Sequence, residues 1–89
     1  MHPLKNILNR ILWSKTVNPQ EYEVTYVHRG GVGDQASVRA SVIRRVGSSW
    51  FSFGEDSEET LIPFHRILLV RNLRTGEVLW RGRRPSSDG

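Results

Sequence analysis

Residues 62–80 read IPFHRILLVRNLRTGEVLW, two apolar runs separated by a turn-forming segment. If Asn72–Gly76 forms a five-residue loop, the register places Arg71 opposite Glu77, Leu69 opposite Leu79 and Leu68 opposite Trp80. Apolar residues then lie on both faces of the hairpin, so both faces must be covered. The segment therefore predicts an antiparallel hairpin with a helix on one side and the curl of a larger sheet on the other.

The rest of the chain supplies those covering elements. Residues 3–13 predict an amphipathic helix, because their apolar residues recur at helical spacing: Leu4, Ile7, Leu8, Ile11 and Leu12. From Glu21 the period falls to two, which predicts a strand with Val24, Tyr26 and His28 on one face. Further strand-like runs are 38–46, 50–53 and 60–62, and Pro63 marks an edge or a bend. The predicted fold class is α+β, an N-terminal helix packed on a curved antiparallel sheet or small barrel of five to six strands.

Two loops have distinctive composition. Gly30–Asp34 favours a hairpin connection over a phosphate-binding loop, because a Walker loop needs Gly-Lys-Ser/Thr running into a helix and Asp34-Gln35-Ala36 follows instead. Gly54–Glu59 holds four of the nine acidic residues, and closely spaced like charges predict a solvated turn.

Length and composition limit the classes of protein. With 89 residues the chain fits one domain, predicted over 1–81, with 82–89 as a flexible basic tail. The absence of cysteine excludes disulfide scaffolds, thiol chemistry and cysteine-built zinc sites. The apolar stretch near the N-terminus is interrupted by Asn9 and Arg10, so we expect no membrane span or signal peptide, and a cytoplasmic protein.

The charge balance points to a polyanionic partner. The net charge is +4, and setting aside the four clustered acids leaves +8 on the remainder. Eleven of the 13 basic residues are arginine, whose planar fork of donors suits phosphate, so nucleic acid is the first partner to consider. Arginine richness that reflects genome composition or a hot habitat is an equally weighted alternative.

Two His-Arg dipeptides are candidates for a phosphate site: His28-Arg29 at a strand end and His65-Arg66 just after Pro63. Imidazole and guanidinium groups donate charge-assisted hydrogen bonds to phosphate, and two histidines can also act as acid and base. Tyr26 shares a strand face with His28 and is predicted to be partly exposed there, whereas most other aromatic rings should be core. Each histidine taken alone is more typical of a partly buried residue whose side chain is satisfied by a backbone carbonyl. With only two internal histidines and no nearby acid, we expect no metal site and no cofactor.

Four segments, taken in order, resemble the RNA cyclic group end recognition domain family, formerly of unknown function, with many small archaeal members. These segments are Asn9–Trp13, Tyr26–Gly30, Ile62–Ile67 and Gly76–Trp80. The resemblance implies binding of RNA 3′ ends that carry a 2′,3′-cyclic phosphate, in RNA processing, repair or damage sensing, with RNA-processing proteins as further partners. It assigns phosphate or RNA contacts to His28, Arg29, His65 and Arg66. It also matches Arg10 and Trp13 to a first motif, for which a structural role is the alternative.

Three functions remain open at this point. The leading hypothesis is a binding module for RNA ends, in which His28, Arg29, His65, Arg66, Tyr26 and Arg10 contact the RNA and no residue is catalytic. The first alternative is a phosphodiesterase that opens the cyclic phosphate with its two histidines. The second is an adaptor that binds protein through the helix or a strand edge. The leading hypothesis requires that His28 and His65 lie within reach of one ligand.

Overall fold

The computed structural model describes residues 3–28, 30, 32–55 and 58–82. One α-helix and seven strands lie in this part of the chain: α1 Pro3–Trp13, β1 Tyr22–Val27, β2 Gln35–Arg39, β3 Ile43–Val46, β4 Trp50–Glu55, β5 Glu58–Pro63, β6 Ile67–Asn72 and β7 Val78–Arg81. The strands form two antiparallel sheets, ordered β2-β1-β6-β7 and β3-β4-β5. The α+β class is confirmed, but the expectation of one curved sheet or barrel of five to six strands is wrong.

The two sheets are separate because the chain turns a corner each time it passes between them. One corner is the 3-10 turn Ala40–Val42 between β2 and β3, and the other is Phe64–Arg66 between β5 and β6. In each turn the first residue is buried, Ala40 fully and Phe64 with 2% of its surface exposed. The predicted continuous strand over 38–46 is therefore wrong, because a buried Ala40 anchors a turn in its middle.

Helix α1 closes one side of the core, as its spacing predicts. Leu4, Leu8 and Ile11 are buried, and the helix contacts the Ala40–Val42 turn and β3. Full burial of each such side chain contributes about 1.5–3 kcal/mol, which makes this stripe a main contributor to the core. The other buried apolar residues come from both sheets and both corners: Val24, Tyr26, Ala40, Ile43, Phe51, Ile62, Phe64, Ile67 and Val70. No helix among the described residues is long and apolar enough to cross a membrane.

The last hairpin forms, but its predicted register is wrong. Leu69 pairs with Arg81 and Val70 with Trp80, a shift of two residues, and an irregularity follows between Val70 and Arg71. The reason lies in Asn72, which belongs to β6 and not to the loop. Its side-chain Oδ1 accepts hydrogen bonds from the backbone N–H groups of Arg74 (2.8 Å) and Thr75 (3.0 Å), which closes the turn beyond it.

The described residues of the acidic segment, 54–55 and 58–59, form paired sheet where a solvated turn was predicted. Gly54 pairs with Glu59 and Glu55 with Glu58 across β4 and β5, while Asp56 lies outside the described residues. The Glu59 carboxylate accepts from the Arg45 guanidinium at 2.6 and 3.0 Å and from the Ser52 hydroxyl at 2.5 Å. These hydrogen bonds lower the pKa of Glu59 from 4.5 to about 2. The Arg45 guanidinium offsets the repulsion between clustered carboxylates, on which the prediction of a solvated turn was based.

Candidate functional site

His28 lies directly after β1, where the Gly-rich connection to β2 begins. Its backbone N–H donates to the Asp34 carbonyl at 2.9 Å, and Gly30 and Gly33 supply the positive φ angles that reverse the chain. The predicted hairpin connection is therefore confirmed. The imidazole is exposed and meets the Tyr26 ring edge-on, with 6.2 Å between ring centroids.

His65 and Arg66 occupy the corner between β5 and β6. Pro63 precedes the corner at the end of edge strand β5, as predicted, and Phe64 anchors the corner in the core. The Phe64 backbone N–H donates to the Ser49 carbonyl at 2.9 Å, which fixes the turn against the loop before β4. Both His65 and Arg66 are exposed, so the corner presents two cationic or hydrogen-bonding side chains from one short turn.

The fold brings the two histidine motifs to one groove of about 550 Å³. Tyr26 at the end of β1 pairs with Ile67 at the start of β6, which sets the strand end that carries His28 beside the corner that carries His65. The groove is named the histidine groove here, and its lining residues are Tyr26, Val27, His28, Thr60, Leu61, Ile62, His65 and Arg66. Among these described residues there is no carboxylate, so the groove offers donors to an anion without a competing negative charge.

Tyr26 lines the groove, but the prediction of a partly exposed ring is wrong. Only 6% of its surface is accessible, and the ring packs on Phe53 with 5.8 Å between centroids. Burial raises the pKa of the Tyr26 phenol, which keeps it protonated. The ring therefore forms a wall of the groove and is not available as a stacking platform.

The structure does not place the other predicted residues in this groove. Arg10 is exposed on α1 and lines a separate groove with Tyr22 and Glu77, and Arg29 lies outside the described residues. Most rings other than Tyr26 are expected to be core, yet Trp13 is 75% exposed. Trp13 lies nine residues after Leu4, which at 100° per residue is half a turn away from the buried stripe, so the helical spacing contained this signal.

Sequence reasoning missed Thr60 and Leu61, which line the histidine groove from β5. Leu61 is 54% exposed and gives the groove an apolar lip, while the Thr60 hydroxyl adds a small polar group. The signal was weak because their role depends on edge strand β5 lying beside the end of β1. That neighbourhood follows from the corner at Phe64–Arg66 and not from the pattern within β5.

The histidine groove presents side chains that can donate hydrogen bonds to an anion. The part of the chain that the structure describes contains no group of three or more His, Asp or Glu side chains placed to hold a metal ion. An imidazole pair and a guanidinium can instead donate several hydrogen bonds to the oxygens of one phosphate.

Comparisons with known proteins place the chain in a family. Residues 1–81 match the model described as the MJ1316 RNA cyclic group end recognition domain. A UPF0248 protein of Methanococcus maripaludis strain C7 is 41% identical over 80 residues, which cover 90% of this chain and 99% of the relative.

More distant archaeal relatives extend the same similarity. The UPF0248 protein MJ1316 of Methanocaldococcus jannaschii is 35% identical over 78 residues, 88% of this chain and 91% of the relative. A UPF0248 protein of Pyrococcus abyssi is 32% identical over 81 residues, 91% and 90% of the two chains. No solved structure matches this chain significantly. The match over residues 1–81 and these relatives show that the chain belongs to the MJ1316 RNA cyclic group end recognition domain family.

Proposed function

We propose that this chain binds RNA 3′ ends bearing a 2′,3′-cyclic phosphate, with the phosphate held in the histidine groove. The observation that carries the proposal is that His28, His65 and Arg66, two motifs 37 residues apart, line one groove free of carboxylates among its described residues. The family description, RNA cyclic group end recognition, supports the same ligand class.

The shape and charge of the groove suit a terminal phosphate better than a buried substrate. A cyclic phosphate is a diester with one negative charge, which the Arg66 guanidinium offsets while the imidazoles donate hydrogen bonds. The exposed Leu61 side chain offers an apolar contact to the ribose carbons or the base. An open phosphate carries more negative charge, about −1.5 to −2, so charge alone would favour it over the cyclic phosphate. Selectivity for the cyclic phosphate therefore depends on the geometry of the donors.

Short RNAs of one sequence that differ only in their 3′ end test the proposal. We expect binding in the order cyclic phosphate, open phosphate, hydroxyl, measured by calorimetry or fluorescence anisotropy at fixed salt. Affinity that follows charge alone would place the open phosphate first and would contradict recognition of the cyclic group. Equal affinity for all three ends would leave only general RNA binding.

Matched variants locate the site. Arg66→Gln should weaken binding of the cyclic end by about 1.5–3 kcal/mol, roughly ten- to a hundredfold, because it removes a charge-assisted hydrogen bond. The double change His28→Ala and His65→Ala should abolish end selectivity and leave the fold intact, since both side chains are exposed. Arg74→Gln is the control, because Arg74 is an exposed arginine in the turn before β7, outside the groove.

Hydrolysis of the cyclic phosphate is a second candidate, favoured by the meeting of two imidazoles in one groove. One imidazole would take a proton from the attacking water as it bonds to phosphorus, and the other would protonate the ribose oxygen as its bond to phosphorus breaks. No carboxylate among the described lining residues orients either imidazole, which favours binding. Incubation of the protein with a cyclic-ended RNA distinguishes hydrolysis from binding. Hydrolysis is supported if the unmodified chain produces an open phosphate and the His65→Ala variant does not.

A further inference from the structure

The outer face of the four-stranded sheet is a polar surface that adjoins the histidine groove. We propose that this sheet face binds the sugar-phosphate backbone of the nucleotides that precede the RNA end. The inference rests on the proposed function and extends it from the terminal phosphate to the strand that carries it. The sheet face surrounds a shallow groove of about 430 Å³ and is defined by the residues that line it: Glu23, Thr25, Gln35, Ser37, Leu68, Leu69, Arg71, Arg81 and Gly82.

Strand register sets these residues in rows across the sheet. Ser37 pairs with Thr25, Thr25 with Leu69, and Leu69 with Arg81, so one row crosses all four strands. With neighbouring strands about 4.8 Å apart, the row is about 14 Å long. At a rise of at least about 3.4 Å per nucleotide, that length accommodates no more than about four nucleotides.

The sheet face is continuous with the histidine groove along two strands. On β1, Val27 lines the groove and pairs with Gln35, which lines the sheet face. Thr25 follows two residues back along β1, a distance of about 7 Å. Arg66 in the groove and Leu68 on the sheet face are likewise two residues apart. An RNA whose 3′ end lies in the histidine groove therefore reaches the sheet face without crossing a gap.

The chemistry of the sheet face fits a backbone and not bases or a protein. Its described lining residues include no aromatic ring, so they offer no platform for base stacking. Protein interfaces have an apolar core depleted of charge, whereas this surface combines two leucines, Leu68 and Leu69, with hydroxyl, amide, guanidinium and carboxylate groups. Hydroxyls and an amide suit phosphate and ribose oxygens.

The charges on the sheet face favour an anion. Arg71 is held by Glu23 at 3.3 Å, and Arg39, which pairs with Glu23 in register, donates to the Gln20 carbonyl at 3.1 Å. Together with Arg81, three cations face one carboxylate. The buried Thr25 hydroxyl bonds to that of Ser37 at 2.8 Å and so fixes the exposed Ser37 hydroxyl at one end of the row.

Cyclic-ended oligouridylates of one, two, four and eight nucleotides test the inference by their affinity for the intact chain. We expect affinity to rise up to about four nucleotides and then to level off. Arg81→Gln should weaken the four-nucleotide RNA about tenfold and lower its salt slope by about 0.7, because one phosphate contact is lost. The same variant should bind the mononucleotide cyclic phosphate as the unmodified chain does.

Arg74→Gln is the matched control, since it removes the same charge from the turn outside the sheet face and should leave the length dependence unchanged. Equal affinity for one and four nucleotides, or an equal loss in Arg81→Gln for both, would overturn the inference. End chemistry separates it from the proposed function. A length dependence without preference for the cyclic end would refute end recognition alone, and a preference without length dependence would refute the sheet face alone.

Discussion

Replacing Phe64 with alanine should be among the most damaging single changes to this fold. The side chain is 2% exposed and anchors the corner from which His65 and Arg66 project. Removal of a buried phenyl ring costs about 3–5 kcal/mol, the sum of lost transfer free energy and the cavity left behind. An 89-residue domain has a total stability of about 4–13 kcal/mol at 0.05–0.15 kcal/mol per residue, so the change removes a large part of it.

Trp13→Ala is the contrasting variant, because Trp13 is a larger aromatic residue that is 75% exposed. Its replacement should change the free energy of unfolding by no more than about 0.5 kcal/mol. Urea denaturation followed by circular dichroism measures both variants, and Phe64→Leu, with an expected cost of about 1–2 kcal/mol, replaces Phe64→Ala if that variant does not fold. A loss below 1 kcal/mol for Phe64→Ala, or a larger loss for Trp13→Ala, would refute the assignment of buried and exposed rings.

Two further changes test the three-stranded sheet. The pKa of Glu59 is lowered in the folded state from 4.5 to about 2, so its stabilisation is present above pH 4.5 and is lost as the pH falls through 2. The urea midpoint should therefore fall less between pH 5 and 2 in Glu59→Gln than in the unmodified chain, and equal slopes would contradict the role of Arg45 and Ser52. Gly54→Ala should destabilise by about 1–3 kcal/mol, because φ is +137° and a Cβ would overlap the Glu58 carbonyl oxygen. Gly76→Ala is its control, since φ is also positive at +80° but the space beside it is open; an equal loss in the two variants would argue against the overlap.

Elements whose signal is local could be predicted from the sequence. The apolar stripe of residues 3–13 depends only on spacing within eleven residues, and α1 has those bounds. Strand β1 and the Gly-rich reversal after it are local in the same sense. These predictions succeeded because propensity, period and turn chemistry all favoured the same structure.

Elements decided by distant partners could not be predicted in the same way. The alternation over 38–46 continues through Ala40–Val42, and only the packing of α1 over Ala40 shows why a turn forms there. The register of the last hairpin depended on one amide, since Asn72 looks like a loop residue in the sequence and caps the turn from within β6. The Arg45 to Glu59 pair joins residues 14 positions apart, so charge clustering alone predicted the wrong structure.

The candidate site likewise combines features that the local sequence predicts with features that depend on distant partners. The sequence identified both His-Arg motifs by composition, but their meeting depends on the pairing of β1 with β6. Ideal strands would point His65 and Arg66 to opposite faces, which is an objection to their contacting one ligand. The 3-10 turn removes the objection, because its residues are about 120° apart and a buried Phe64 leaves the next two exposed.

A comparison of the two corners, Ala40–Val42 and Phe64–Arg66, distinguishes residues that the fold requires from residues that ligand binding would require. Both begin with a buried residue, Ala40 or Phe64, and both close with a backbone hydrogen bond from the next strand residue to the carbonyl of that buried residue. The corner at Ala40 continues with Ser41 and Val42, so the geometry does not need histidine or arginine. His65 and Arg66 are thus not explained by the turn itself. Their position beside His28 is the basis of the anion-binding role that we propose for them, and substitutions there should affect the ligand far more than the fold.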